Sequence, residues 1–176
     1  QVAALGWNLV SRRPPPADAG WTFRPARPVF PALTCPAQAS FRTGCDPASH
    51  GLLGNGTFQP AWRRVMLWEQ SARLVRGARI WDRLRARGGR VGILFWQQSL
   101  GEAADMILSP APIHKHHGGM IQDCYSQPSD LYAQLTRAVG RPFDLSRYWG
   151  PLAGASSTAW IVTATQAVLA LPQAPD

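Results

Sequence analysis

Short apolar runs broken by Pro and Gly dominate this chain, and three stretches carry helical periodicity. Residues 29–33 form an apolar stretch that leads into Thr34. Pro36 follows, and its missing N–H suits the first turn of a helix. The pattern predicts that helix over 38–43, with Gly44 as its stop. Thr34 then sits where an extended segment meets a helix amino terminus, a place of free N–H groups and positive dipole that favours phosphate. Residues 46–58 read as a loop rich in Gly, Asn and Pro, and 62–69 as a half-buried segment.

Farther along, 78–87 reads as an amphipathic helix. Ile80, Trp81 and Leu84 share one face, and Arg79, Arg83 and Arg87 share another. Gly88-Gly89 ends it, and 90–96 (RVGILFW) is the best buried strand of the chain. Residues 109–119 read as a loop. A second helix is predicted over 130–139, with Asp130 as N-cap and Gly140 as stop. A third spans 155–171, capped by Ser156 or Ser157. It is apolar nearly all round and is therefore expected to be buried. Helix, Gly turn and strand in succession is the grammar of an α/β sheet. The sheet looks unfinished, because a buried helix normally feeds another strand. At the other end, 3–10 could be a strand or a helix, broken by Arg12-Arg13-Pro14-Pro15-Pro16.

Composition changes this picture little. A chain of 176 residues suits one domain. Its hydrophobic fraction of 45% and charged fraction of 16% argue against disorder. The net charge of +8 comes almost wholly from Arg spread over residues 12–147, densest from Arg63 to Arg90. Such a balance can serve an anionic partner, but an Arg-, Ala- and Pro-rich composition explains it equally. The dense run reads as a solvated helical face. Trp62, Trp68 and Trp81 interleave with it, which keeps a non-catalytic nucleic-acid binder or an interaction protein as rivals to an enzyme. Three cysteines, Cys35, Cys45 and Cys124, make no disulfide framework. A Cys35–Cys45 bridge stays open, and the sparse set tilts toward a reducing cytoplasm. No run of about 18 apolar residues signals a membrane span.

The densest chemical text is FPALTCPAQASFRTGCDPASHGLLGNGTF, Phe30 through Phe58. Thr34, Thr43-Gly44, Pro47, His50-Gly51 and Asn55 stand in an order and spacing that resemble the nucleotide pyrophosphatase and phosphodiesterase branch of the alkaline phosphatase superfamily. His50 lies sixteen and Asn55 twenty-one positions after Thr34. A weaker likeness continues through Phe95-Trp96, residues 123–131 (DCYSQPSDL) and the YWGP near 148–151. The resemblance covers residues 24–176 and leaves 1–23 as an irregular amino-terminal segment. It implies an amino-terminal part of an alkaline phosphatase-like α/β fold, mostly parallel, with helices on both faces.

The same resemblance implies a metal-dependent hydrolase of phosphodiesters or nucleotide pyrophosphates. Thr34 would be both nucleophile and metal ligand, passing through a phosphothreonine. Asn55 would donate to a phosphoryl oxygen, the Cys35 backbone N–H could add a second donor, and two divalent metal ions, usually zinc, would complete the site. Metal coordination is what makes a neutral-pH hydroxyl reactive. Phosphonoacetate hydrolases resemble the same Thr and Asn pattern, so C–P cleavage stays an alternative. The implied substrate is a small phosphoester or nucleotide rather than nucleic acid or membrane. His50 is expected to fix the loop rather than bind metal. The strand ending in a metal-binding Asp before the Thr is not recognisable, since Asp18 lies in PPPADAG. The later Asp and His ligands have no counterpart either, so this chain is expected to hold metal weakly and to turn over slowly or not at all. His114, His116 and His117 form an HxHH cluster with zinc-like spacing, but without a partner set they read as an exposed loop. Cys124 reads as a small buried residue.

Overall fold

The computed structural model describes residues 7–14, 20, 22–111, 113–114, 117–149 and 151–176. The chain is mixed α/β. Its central sheet has three strands. β3 (Gly92–Leu94) lies parallel to β4 (Met106–Pro110), and β4 lies antiparallel to β7 (Cys124–Gln127). Two antiparallel pairs stand apart from it. One is the hairpin of β1 (Gly56–Gln59) and β2 (Arg64–Leu67), and the other joins β5 (Ile113–His114) to β6 (Met120–Ile121). Among the described residues, parallel pairing joins β3 to β4 and, as an isolated bridge, Ser71 to Leu100, so the three-stranded sheet is mixed in a fold expected to be mostly parallel.

The best-buried strand is β4, all five of whose residues are buried. A central strand covered on both faces needs apolar side chains at every position, which Met106-Ile107-Leu108 supplies. Its outer residues fall in a segment expected to be loop, because Ser109 and Pro110 look like turn residues. The predicted strand over 90–96 shortens to three residues, since Phe95 takes a left-handed φ of 57° and ends it.

One face of the sheet carries α5 (Leu131–Val139) and α6 (Ala155–Leu169). Met106 and Leu108 point into this layer with Leu131, Leu135, Phe143, Trp160, Ala164 and Val168. Phe95, Phe143 and Trp160 pack ring on ring, with centroids 4.6–5.8 Å apart. Trp160 satisfies its indole N–H on the Arg141 carbonyl at 2.9 Å. The boundaries of α5 are those the sequence implies, with Asp130 at the N-cap and Gly140 left-handed after the last turn. For α6 two expectations change. Gly154 occupies the N-cap position, with the Ser157 hydroxyl donating back to its carbonyl. Only the Ser157, Trp160, Ala164 and Val168 stripe is buried, and Val162 and Leu169 remain exposed.

Ile107 points to the opposite face, where Val91, Ile93 and Ala104 are packed by Trp81, Trp96 and Tyr125. Phe41 of α2 (Thr34–Thr43) closes on Trp96 at 5.5 Å, so a helix contributes to this side too. The predicted helix over 78–87 contracts to α4 (Asp82–Ala86). Its first turn is pulled apart by tertiary bonds: Ile80 N–H goes to the Arg42 carbonyl, and the Arg79 side chain reaches Glu102. Ile80 and Leu84 stay exposed. The segment 62–69 is the far side of the β1–β2 hairpin, with Trp62, Val65 and Leu67 exposed rather than half-buried. Before all of these, α1 (Trp7–Arg12) replaces part of the apolar start; residues 1–6 lie outside the described ones.

Candidate functional site

Helix α2 ends where predicted but begins at Thr34, four residues before the expected 38–43, and takes the Pro36 turn into its first turn. Leu33 is the extended N-cap and Thr34 the first helical residue, exposed to solvent. Its hydroxyl makes no hydrogen bond among the described residues. Pro36 stands in the first turn and Gly44 ends the helix in the left-handed region. The two residues singled out at long spacing do meet: the Cys35 N–H donates to Asn55 Oδ1 at 3.0 Å. This contact settles the orientation of the amide, because only its oxygen can accept. Asn55 is held a second time by its main chain, whose carbonyl accepts from Trp68 N at 2.8 Å. Its NH2 group is left to donate elsewhere, beside the Thr34 turn. The Cys35 N–H, expected as a second donor to substrate, is therefore already committed.

His50 is wholly buried and fully used. It closes α3 (Pro47–His50), whose N-cap Asp46 accepts from Ser49 N at 2.8 Å; hydrogen bonding from the Ser49 side chain first, and from its N–H second, holds the Asp46 carboxyl below its ordinary pKa. His50 Nδ1 accepts from Leu52 N at 3.2 Å, which makes the ring neutral with its proton on Nε2, facing Ser40 Oγ at 2.9 Å. Burial pushes its pKa down, against the pull of Asp46. With both nitrogens engaged it is a structural residue, as the sequence implies. Gly51 follows at φ 84°, with the Arg76 guanidinium above it; a Cβ there would stand 2.9 Å from its NH2. The left-handed backbone is what favours glycine here, since the flexible Arg76 side chain could give way to a Cβ.

The other end of α2 is fixed by groups that sequence reading missed. Arg42 has no exposed surface. It donates to the Gln98 carbonyl at 2.7 Å and the Gln97 carbonyl at 3.0 Å, and pairs with Glu102 at 3.3 Å. Arg79 pairs with the same Glu102 oxygen at 2.8 Å. Burial draws the Arg42 pKa down to about 10 while Glu102 opposes it, so it remains charged at neutral pH. Arg79 was expected on a solvated face and is instead nearly buried. The one signal available was scarcity: ten acidic residues face eighteen basic ones, so a Glu beside Ala103-Ala104 is a candidate for pairing.

Asp18 and His116 lie outside the described residues, His114 is described only as backbone of β5, and His117 is exposed. Among the described residues no three His, Cys, Asp or Glu side chains could hold a metal ion together. All three cysteines are free, so the Cys35–Cys45 bridge is not made. Cys124 is buried as expected, its pKa pushed up to about 12 by desolvation and then by Asp123. Of the tryptophans interleaved with arginine, Trp81 is packed edge-on to Trp96, while Trp62 and Trp68 are exposed. No described helix is long and apolar enough to cross a membrane. Among known proteins, the family model for type I phosphodiesterase / nucleotide pyrophosphatase matches residues 17–176.

Proposed function

The chain belongs to the type I phosphodiesterase / nucleotide pyrophosphatase family, within the alkaline phosphatase superfamily; on that premise we propose that Thr34 is the nucleophile toward a phosphodiester or nucleotide pyrophosphate and that Asn55 steadies the phosphoryl group. At the family level this is a hydrolase acting on small phosphoesters or nucleotides. The observation that carries the residue roles is the Cys35 N–H to Asn55 Oδ1 bond, which ties Asn55 to the residue next to Thr34 and leaves its NH2 as a fixed donor.

The chemistry follows from that arrangement. Thr34 Oγ would bond to phosphorus as the bond to the leaving alcohol or phosphate breaks, giving a phosphothreonine. Water would then cleave the Oγ–P bond and restore Thr34. The α2 amino terminus and the Asn55 amide both favour the negative charge that grows on the phosphoryl oxygens. The family is generally metal-dependent, and Thr34 is the described residue suited to touch a metal. The described side chains do not by themselves make a metal site, so no step here runs through one. The test is hydrolysis of a chromogenic phosphodiester with added zinc by the protein as its gene encodes it, together with mass spectrometry of the quenched reaction. A phosphoryl adduct on Thr34, lost with turnover in Thr34→Ala, is the expected result. Unchanged turnover in Thr34→Ala sinks the assignment.

A further inference from the structure

Gln98 is the residue on which two unfavourable features coincide. It takes a left-handed φ of 51°, which costs a non-glycine residue energy. Its Oε1 is buried and has no hydrogen-bond partner among the described residues. Such costs persist where surrounding contacts hold the residue in place, and here those contacts lead to the Thr34 turn.

The side-chain nitrogen of Gln98 donates to Cys35 Sγ at 3.2 Å and to the Glu69 carbonyl at 3.1 Å. The opposite amide orientation would set its oxygen against the Glu69 carbonyl, so the observed one is fixed and the unpaired Oε1 is its consequence. The main chain is held as firmly: Gln98 N donates to Gln70 Oε1 at 3.2 Å, and its carbonyl accepts from Arg42 at 2.7 Å. The neighbouring Gln97 N donates to Gln38 Oε1 at 2.9 Å. Cys35, Gln38 and Arg42 lie three and four apart and share one face of α2. The 97–98 turn is seated along that face.

We propose that Gln98 is a positioning residue for the Thr34–Asn55 pair, gripping Cys35 by its sulfur so that its N–H stays aimed at Asn55 Oδ1. Cys35 is thereby held from both sides, by Asn55 at its nitrogen and by Gln98 at its thiol. The orientation of the first turn of α2, and with it the Thr34 hydroxyl relative to the Asn55 NH2, depends on both. The importance of this role for catalysis rests on the reading of Thr34 as nucleophile, while its geometric content does not.

Amide hydrogen exchange and the Asn55 side-chain NH2 resonances, measured by NMR on the whole chain, test it. Gln98→Met keeps the volume and removes the donor. Gln98→Gly removes the donor and relieves the φ, which guards against misfolding of the first variant. In either variant the Cys35 amide is expected to exchange about tenfold faster and the Asn55 NH2 resonances to move, while amides in Leu131–Val139 keep their protection. Cys35→Ala should give the same change, and adding Gln98→Met to it should give no more. Parent-like Cys35 exchange in both Gln98 variants overturns the proposal, and so does a uniform loss of protection across the chain. None of these readouts needs turnover, so failure of the nucleophile assignment in Thr34→Ala would show separately.

Discussion

Asn55 meets Cys35 through its carbonyl oxygen, at 3.0 Å from the Cys35 nitrogen. On the role proposed for Asn55, one amide divides its two ends between fold and chemistry, and substitution can separate them. Asn55→Asp keeps an acceptor for Cys35 but replaces the donor with a negative charge facing phosphate. It should leave urea stability nearly unchanged and lower phosphodiester turnover about 10²–10³-fold, the usual loss for a fixed transition-state donor. Asn55→Ala should lose the same activity and also roughly 1–2 kcal/mol, because the Cys35 N–H loses its partner. Equal activity for Asn55→Asp and the parent would remove Asn55 from the site.

His50 gives the fold a pH dependence of known sign. Its pKa is lowered in the folded protein, while the unfolded chain titrates near about 6.5. Between those values the unfolded state binds the extra proton, so stability is complete above the unfolded pKa and falls as pH falls toward the folded one. The slope cannot exceed about 1.4 kcal/mol per pH unit from one histidine. Chemical denaturation at pH 7.5 and 5.5 should show the loss, and His50→Gln should flatten it. A parent slope that survives in His50→Gln assigns the effect to other groups.

Glu102 stands between two arginines, one of them without exposed surface. Removing it leaves Arg42 buried without its counter-charge, so Glu102→Ala is expected to cost about 3–5 kcal/mol. Arg85, whose contact with Asp105 is 3.6 Å with side chains 36% and 33% exposed, provides the contrast. Arg85→Ala should change stability by less than about 1 kcal/mol. Urea midpoints of the two variants decide the matter, and comparable losses would mean that burial has been given too much weight.

Thiol chemistry should separate the three cysteines. Cys45 is exposed, whereas Cys35 and Cys124 are buried and both have raised pKa values. Under native conditions at pH 8 an aromatic disulfide reagent should titrate one thiol quickly, and Cys45→Ser should abolish that phase. Denaturant should release the other two. Fast labelling of Cys35 in the native chain would contradict its burial behind the Thr34 turn.

The parts of this structure legible in sequence are those whose signals are local. Pro36 marks the first turn of α2 and Gly44 its end, and Asp130 and Gly140 bracket α5, because caps and stops act within one turn. Thr34, His50 and Asn55 could be singled out because their order and spacing across a short segment resemble the pattern of the family. The Arg42–Glu102–Arg79 cluster was not legible, since its members lie 23 and 60 residues apart and no spacing rule links them. The contraction of the helix at 78–87 has the same origin: periodicity was present, but a buried carboxylate claimed Arg79. The exposure of Val162 and Leu169 on α6 shows the complementary limit, since apolar composition describes what a helix can bury and not how much surface its neighbours offer.

The Thr34 turn rests on a small apolar cluster of its own, Cys35, Ala39, Leu52 and Val75, apart from the aromatic core around Trp160. Most of the apolar burial lies in the latter, and the former is tied to the sheet chiefly through polar links at the 97–102 turn. Heat or mild denaturant can therefore dismantle the Thr34–Asn55 geometry while the tryptophan core still holds. A melting curve that follows aromatic signals is then expected to report the tryptophan core and to miss an earlier loss of the Thr34 turn. Loss of that geometry and global unfolding are then expected as two events, and the first does not require the second.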